Sequence, residues 1–159
     1  MRTGYKKAPL FLLITGLCLV ANISITSAQE LVAMRPEQVT ILQYIIKERP
    51  VLVELLTTAG LVPVLSGESA YTLLAPPEKT LAALLNQSPD KIKHALSGYI
   101  IKGNYLEKDL KDGATVETLR GDKLKVCRKN GTLVNGVKLV ATDKQVRNGV
   151  IHELQDKLN

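Results

Sequence analysis

The sequence predicts an α+β domain, with helices first and mainly antiparallel strands after them. Apolar residues recur at helical spacing up to about residue 99, and from about residue 114 their period falls to two. Two Asn-Gly pairs, Asn130-Gly131 and Asn135-Gly136, then mark hairpin turns, because both residue types accept positive φ. The length of 159 residues suits one domain with a short extension. At 45% hydrophobic the chain is too apolar to be disordered, and no tract repeats at a fixed period.

The helical half reads in order. Pro36 suits a first helical position, with Glu37 in the first turn, where a negative side chain complements the dipole. Val39, Leu42 and Ile46, joined by Ile41 and Ile45, recur at helical spacing. Pro50 ends that helix and opens the next. Leu52, Leu55, Leu56 and Ala59 form an i, i+3, i+4, i+7 stripe, and Gly60 is placed to cap it. Tyr71 to Ala75 is short and apolar before Pro76-Pro77, which predicts a buried strand. A short helix follows with Leu81, Leu84 and Leu85 inward. Ser88-Pro89-Asp90 starts another, with Ser as cap and Pro at the first position. Ile92, Ala95, Leu96 and Tyr99 supply its buried face.

The strands follow. Val116 begins a run that reaches a turn at Gly121. Leu124 and Val126 share one face of Lys123 to Arg128. Val137 and Leu139 pair with what precedes them, and Val150, His152, Leu154 and Leu158 alternate in a last strand.

The first residues carry a different pattern. Arg2, Lys6 and Lys7 precede an apolar run from Leu10 to Ala21, then polar residues ending in Thr26-Ser27-Ala28. That order predicts a secretory signal peptide over residues 1–28, cleaved after Ala28. A membrane would be met only through an uncleaved leader, and the polar second half of the segment argues against an anchor. Leu17 stands where a lipoprotein at Cys18 needs a small residue. Cleavage removes three basic residues and halves the net charge of +6. It also removes Phe11, so the remainder has neither Phe nor Trp, and its core must be Leu, Ile, Val and Ala. Residues 29–35 form a short segment before a domain at 36–159.

Three segments resemble one family. Tyr71-Thr72-Leu73-Leu74-Ala75-Pro76 is similar to the first signature of the fasciclin domain, and Asn148-Gly149-Val150-Ile151-His152 to the second. Thr118-Leu119-Arg120-Gly121 resembles the family's Thr-Leu-x-Gly turn, and Ala59-Gly60-Leu61 with Leu65 also fits in order. Pro77 stands where the family usually has Thr, so the following helix lacks a capping side-chain oxygen. Tyr99-Ile100 replaces the family's Tyr-His pair.

The resemblance implies a β-sandwich or wedge with helices packed beside it. It implies an exported module, extracellular, on the cell surface or periplasmic, that binds proteins or extracellular polymers without catalysis or cofactor. Its binding residues would lie near the signatures: Pro76, Pro77, Tyr99, Asn148, Gly149 and His152.

The residues themselves bound the other functions. His152 shares a face with Val150 and Leu154, as a core histidine that needs a hydrogen-bond partner would. His94 lies beside Lys91 and Lys93, on a solvated face. Past residue 28 there are two His and one Cys, with no metal-ligand spacing, nucleophile elbow or phosphate loop. The rival to a binding module is a small-ligand carrier or enzyme with a pocket near His152 and Tyr99. Arg120-Gly121-Asp122 spells an adhesion tripeptide, although a tight turn alone accounts for Gly121. Cys127 alternates with Lys123 and Lys125, either as a small half-buried residue or as the sulfur of a Cys127-linked dimer. Basic residues interleave with Glu107, Asp109, Asp112 and Asp122, and aromatics are 4%, so no nucleic-acid platform is expected. The partners left are a cell-surface or matrix protein, or a polysaccharide, with an acidic glycan suited to the Lys123–Lys129 group.

Overall fold

The computed structural model describes residues 39–158, so the expected leader, Pro36 and Glu37 lie outside the described residues. The first helix, α1, is Ile41–Glu48. Val39 and Thr40 are not helical, so the start is not continuous from Pro36. Thr40 caps it instead: its side chain accepts from the Gln43 amide, and the Gln43 side chain accepts from the Thr40 amide. Pro50 opens α2 at Pro50–Thr58, and Leu52, Leu55, Leu56 and Ala59 are buried as the stripe requires. Glu78, distant in sequence, accepts from the Val51 amide at the exposed start of α2. Gly60 follows at φ 66, and a short α3 at Val62–Ser66 buries Leu65.

Strand β1 is Tyr71–Ala75. Helix α4, Glu78–Leu81, runs into a tight turn at Ala82–Leu84. Pro77 provides no side-chain cap there, as its chemistry requires. Leu81 is buried, but Leu85 is 39% exposed, because the helix tightens and rotates it outward. Helix α5, Pro89–Ser97, starts after Ser88, whose side chain makes no capping bond. Strand β2, Ile100–Lys102, follows at once. The remaining strands are β3 Thr115–Glu117, β4 Lys123–Arg128, β5 Thr132–Val134, β6 Val137–Val146 and β7 Gly149–Leu154. Leu158 lies beyond β7 rather than in it, half-buried, because the strand ends at Leu154. Both Asn-Gly turns form, with Asn130 at φ 56 and Asn135 at φ 51.

These strands form one sheet in the order β2-β1-β7-β6-β5-β4-β3. Every pair is antiparallel except β1 with β7, which run parallel, Leu74 opposite His152. The sheet curls until its edges meet. Ile101 bridges Thr118, and the Leu119 amide donates to the Ile100 carbonyl at 2.6 Å. The near-barrel holds one core of Leu74, Ile101, Leu110, Val116, Leu124, Val126, Val134, Val137, Leu139 and Leu154. A second core lies between the helices and the outer face of β1 and β7, through Leu73, Ala75 and Ile151. Helices on one side of a curled, mostly antiparallel sheet are the α+β arrangement expected. Among the described residues, no helix is long and apolar enough to cross a membrane.

Candidate functional site

The two signatures meet at the parallel pair, and they point inward. Asn148 precedes β7 and is 3% exposed. Its Oδ1 accepts from the Ile41 amide at 2.8 Å, and its Nδ2 donates to the carbonyls of Leu65 and Gly67 at 2.9 and 2.8 Å. One side chain thus ties the start of α1 and the end of α3 to β7. Gly149 must be glycine, because a Cβ there would lie 1.8 Å from the Tyr71 carbonyl oxygen.

His152 is fully buried on the barrel side of β7. Nε2 donates to the Tyr105 carbonyl at 2.8 Å, and Nδ1 accepts from the Asp143 amide at 3.2 Å. The neutral ring with its proton on Nε2 satisfies both. Burial pushes its pKa down, against the hydrogen bond to Tyr105 and the charges of Asp143 and Glu107.

Thr72, also fully buried, accepts from the Tyr105 amide and donates to the Gly103 carbonyl, both at 2.9 Å. The two signatures therefore hold the backbone of the same residue, one at its amide and the other at its carbonyl. Glu107, two residues on, accepts from the hydroxyls of Thr132 and Thr142 at 2.8 and 2.9 Å, and these bonds hold its carboxylate pKa down. Its amide donates to Asp143, which sits at φ 59 in the irregular middle of β6. Tyr105, Glu107 and Asp143 complete this network without any sequence motif, since they come from the β2–β3 connection and the β6 bulge, which only the fold brings together.

Arg120-Gly121-Asp122 lies in a turn pinned to the end of α5. Gly121 is at φ 95, and the Asp122 amide donates to the Thr118 hydroxyl at 3.1 Å. Arg120 pairs with Asp122 and also donates to the His94 carbonyl at 3.1 Å, where a cation suits the helix end. The guanidinium lies against Gly98, where a Cβ would come within 3.3 Å of it. The two charges of the tripeptide are thus spent largely on each other and on α5.

A cleft of about 430 Å³ opens beside this turn, lined by Tyr99, Arg120, Asp122, Lys123 and Leu158 among others. Tyr99 is half-buried, and its hydroxyl accepts from the Leu158 amide at 3.2 Å. Tyr99 lines this cleft and His152 does not, so the cleft does not join the two residues. Tyr99 packs against the edge of the barrel core and still reaches the cleft, whereas His152 is fully buried. Pro76 is buried and Pro77 half-buried at the end of β1. Cys127 is a half-buried free thiol on the outer face of β4. His94 is exposed. Among the described residues no three His, Cys, Asp or Glu side chains gather as metal ligands, and no buried side-chain polar atom lacks a partner.

Comparison with known proteins agrees with this geometry. The chain is 33% identical over 109 residues to the transforming growth factor-beta-induced protein ig-h3 of Sus scrofa, covering 63% of this chain but only 16% of that protein. An uncharacterised Synechocystis protein, sll1735, is 26% identical over 112 residues, which is 66% of this chain and 84% of that one. Protein sll1483 of Synechocystis is 31% identical over 111 residues, or 64% of this chain and 61% of that one. Among solved structures, a domain pair from the insect cell adhesion molecule Fasciclin I superposes with a TM-score of 0.60 at 16% identity, over 77% of this chain and 51% of that one. The family model of the fasciclin domain matches residues 48–158, and the chain belongs to that family.

Proposed function

We propose that this protein is an exported, non-catalytic adhesion or binding module for a cell-surface or matrix protein, or a polysaccharide. The observation that carries the reading is the inward use of the signature residues. Thr72, Asn148, Gly149 and His152 are buried and committed to fixing the fold, which leaves recognition to the exposed loops they hold. The adhesion role named for the Fasciclin I domain pair lends it support. On this reading residues 1–28 are removed on export, and the module at 36–159 acts outside the cell, at its surface or in the periplasm.

The Arg120-Gly121-Asp122 tip of the Thr118–Asp122 turn is the contact we assign first, because it lies beside an open cleft on a rigid base. Immobilised protein should hold cells or matrix saturably, and soluble protein should compete. Asp122→Glu should abolish attachment without moving the thermal melt. Equal attachment by both forms would remove the turn as the contact, and no attachment by either would sink the module reading.

The cleft beside Tyr99 favours one second reading, a carrier of a small ligand. A ligand whose binding raises the melt of the natural protein but not of Tyr99→Ala would favour it.

A further inference from the structure

We propose that the groove between the β4–β5 turn, the β5–β6 turn and the segment after β7 binds a stretch of anionic polysaccharide. The proposal rests on the module reading and names its partner class and surface.

The groove has a volume of about 600 Å³ and is lined by Lys129, Asn130, Leu133, Lys138, Gln155 and Lys157 among others. Sequence order separates these lysines, and the fold gathers them. Leu133 of β5 pairs with Lys138 of β6, and the Gln155 amide extends the pairing to the Lys138 carbonyl at 2.8 Å. Lys138 is also laid in place: its Cε would come within 3.1 Å of a Cβ at Gly131, whose φ of 114 keeps the turn bare. The expected Lys123–Lys129 grouping is thereby divided. Lys129 joins Lys138 and Lys157, while Lys123 faces Glu117 across the β3–β4 pair.

The charges here are uncommitted. Arg49, Lys102, Arg120 and Arg147 each hold a carboxylate, whereas Lys129, Lys138 and Lys157 form no ion pair among the described residues. The one acidic lining residue, Asp156, turns an oxygen to the Lys157 amide at 2.7 Å. Three free ammonium groups round an open channel attract a repeating anion. Asn130 and Gln155 line the same groove and can both donate to and accept from sugar hydroxyls. No aromatic ring lines the groove, so neither a neutral sugar nor a nucleobase has a surface to stack on. The chemistry selects carboxylate- or sulfate-bearing sugar chains.

The test passes the full chain over immobilised heparin, polygalacturonate and dextran. Retention is expected on an anionic polymer and not on dextran, and should fall with salt. Lys138→Glu with Lys157→Glu should weaken binding about tenfold or more. Lys91→Glu with Lys93→Glu, the same charge change on exposed α5 positions, should leave most of it. Equal loss in both pairs would show bulk charge alone and overturn the proposal. So would an absence of retention, or displacement by polyglutamate better than by free polygalacturonate, which would point to an acidic protein. Attachment to cells or matrix, measured in parallel, separates the readings. If attachment persists while no polymer is retained, the groove proposal falls and the module reading stands.

Discussion

Strands β1 and β7 are buried on both faces, whereas β3, β4 and the start of β6 alternate between the barrel core and solvent. In β7 every residue but Glu153 is buried. In β4 the exposed and buried residues follow one another, Lys123, Leu124, Lys125, Val126. The parallel pair has helices outside it and the barrel core inside it, so it reads as a nearly continuous apolar run. The hairpin array packs mainly on the inner core, and most of its outer side chains face solvent. Signature residues therefore collect at the parallel pair, where each error is costly. Of the free lysines, Lys129 and Lys138 lie on the hairpin array and Lys157 just beyond β7, where composition can vary at little structural cost. One region fixes the fold and the other is available for recognition.

The largest expected effect tests the first half of that comparison. Gly149→Ala should cost about 4 kcal/mol or more, because the strand must separate from Tyr71 to admit a methyl group. A near-natural denaturant midpoint would show that β1 and β7 are not closely held. Asn148→Ala should cost about 3 kcal/mol, since it orphans the Ile41 amide and weakens the hold on Leu65 and Gly67. Hydrogen exchange should then rise first at the start of α1.

The pH dependence follows from His152 and Glu107. The fold depresses the His152 pKa, so the unfolded chain takes the proton more readily. The stability from this residue is complete above its unfolded value of about 6.5 and drains as pH falls below it towards the folded value. Protonation would break the Asp143 amide bond to Nδ1, while Asp143 and Glu107 partly offset the charge. Glu107, also depressed, adds a later loss as pH falls below the ordinary carboxylate range. His152→Gln should flatten the upper part of the melt-versus-pH curve. A curve of unchanged shape would mean that the ring does not control acid stability.

The hairpin array should respond far less. Lys123→Ala and Lys125→Ala should each change stability by about 0.5 kcal/mol or less, measured by denaturant unfolding. Smallest of all is Ser88→Ala. Capping serines ordinarily contribute about 1 kcal/mol, but this side chain makes no capping bond, and the melt should barely move.

The sequence by itself determined the local elements. Pro50 and Pro89 begin helices because their fixed φ and missing amide suit a first turn. Asn130-Gly131 and Asn135-Gly136 turn hairpins because their backbones accept positive φ. The strand alternation of Leu124 and Val126 followed from the period of two. The family's motifs were legible too, since their order along the chain survives divergence.

Only the tertiary structure decided what those residues touch. That Thr40 rather than Pro36 governs the start of α1 depends on Asn148, far along the chain, receiving the Ile41 amide. That Leu85 turns outward depends on the tightening after Leu81. His152 was legible as a buried histidine, but its partners Tyr105 and Asp143 were not, because hydrogen bonds between distant loops leave no periodic trace. The same holds for the groove. Lys129, Lys138 and Lys157 are separated along the chain and adjacent only through the pairing of β4 to β5, β5 to β6 and β6 to β7. Periodicity records which face a residue takes within its own element, and the closing of the barrel chooses its neighbours.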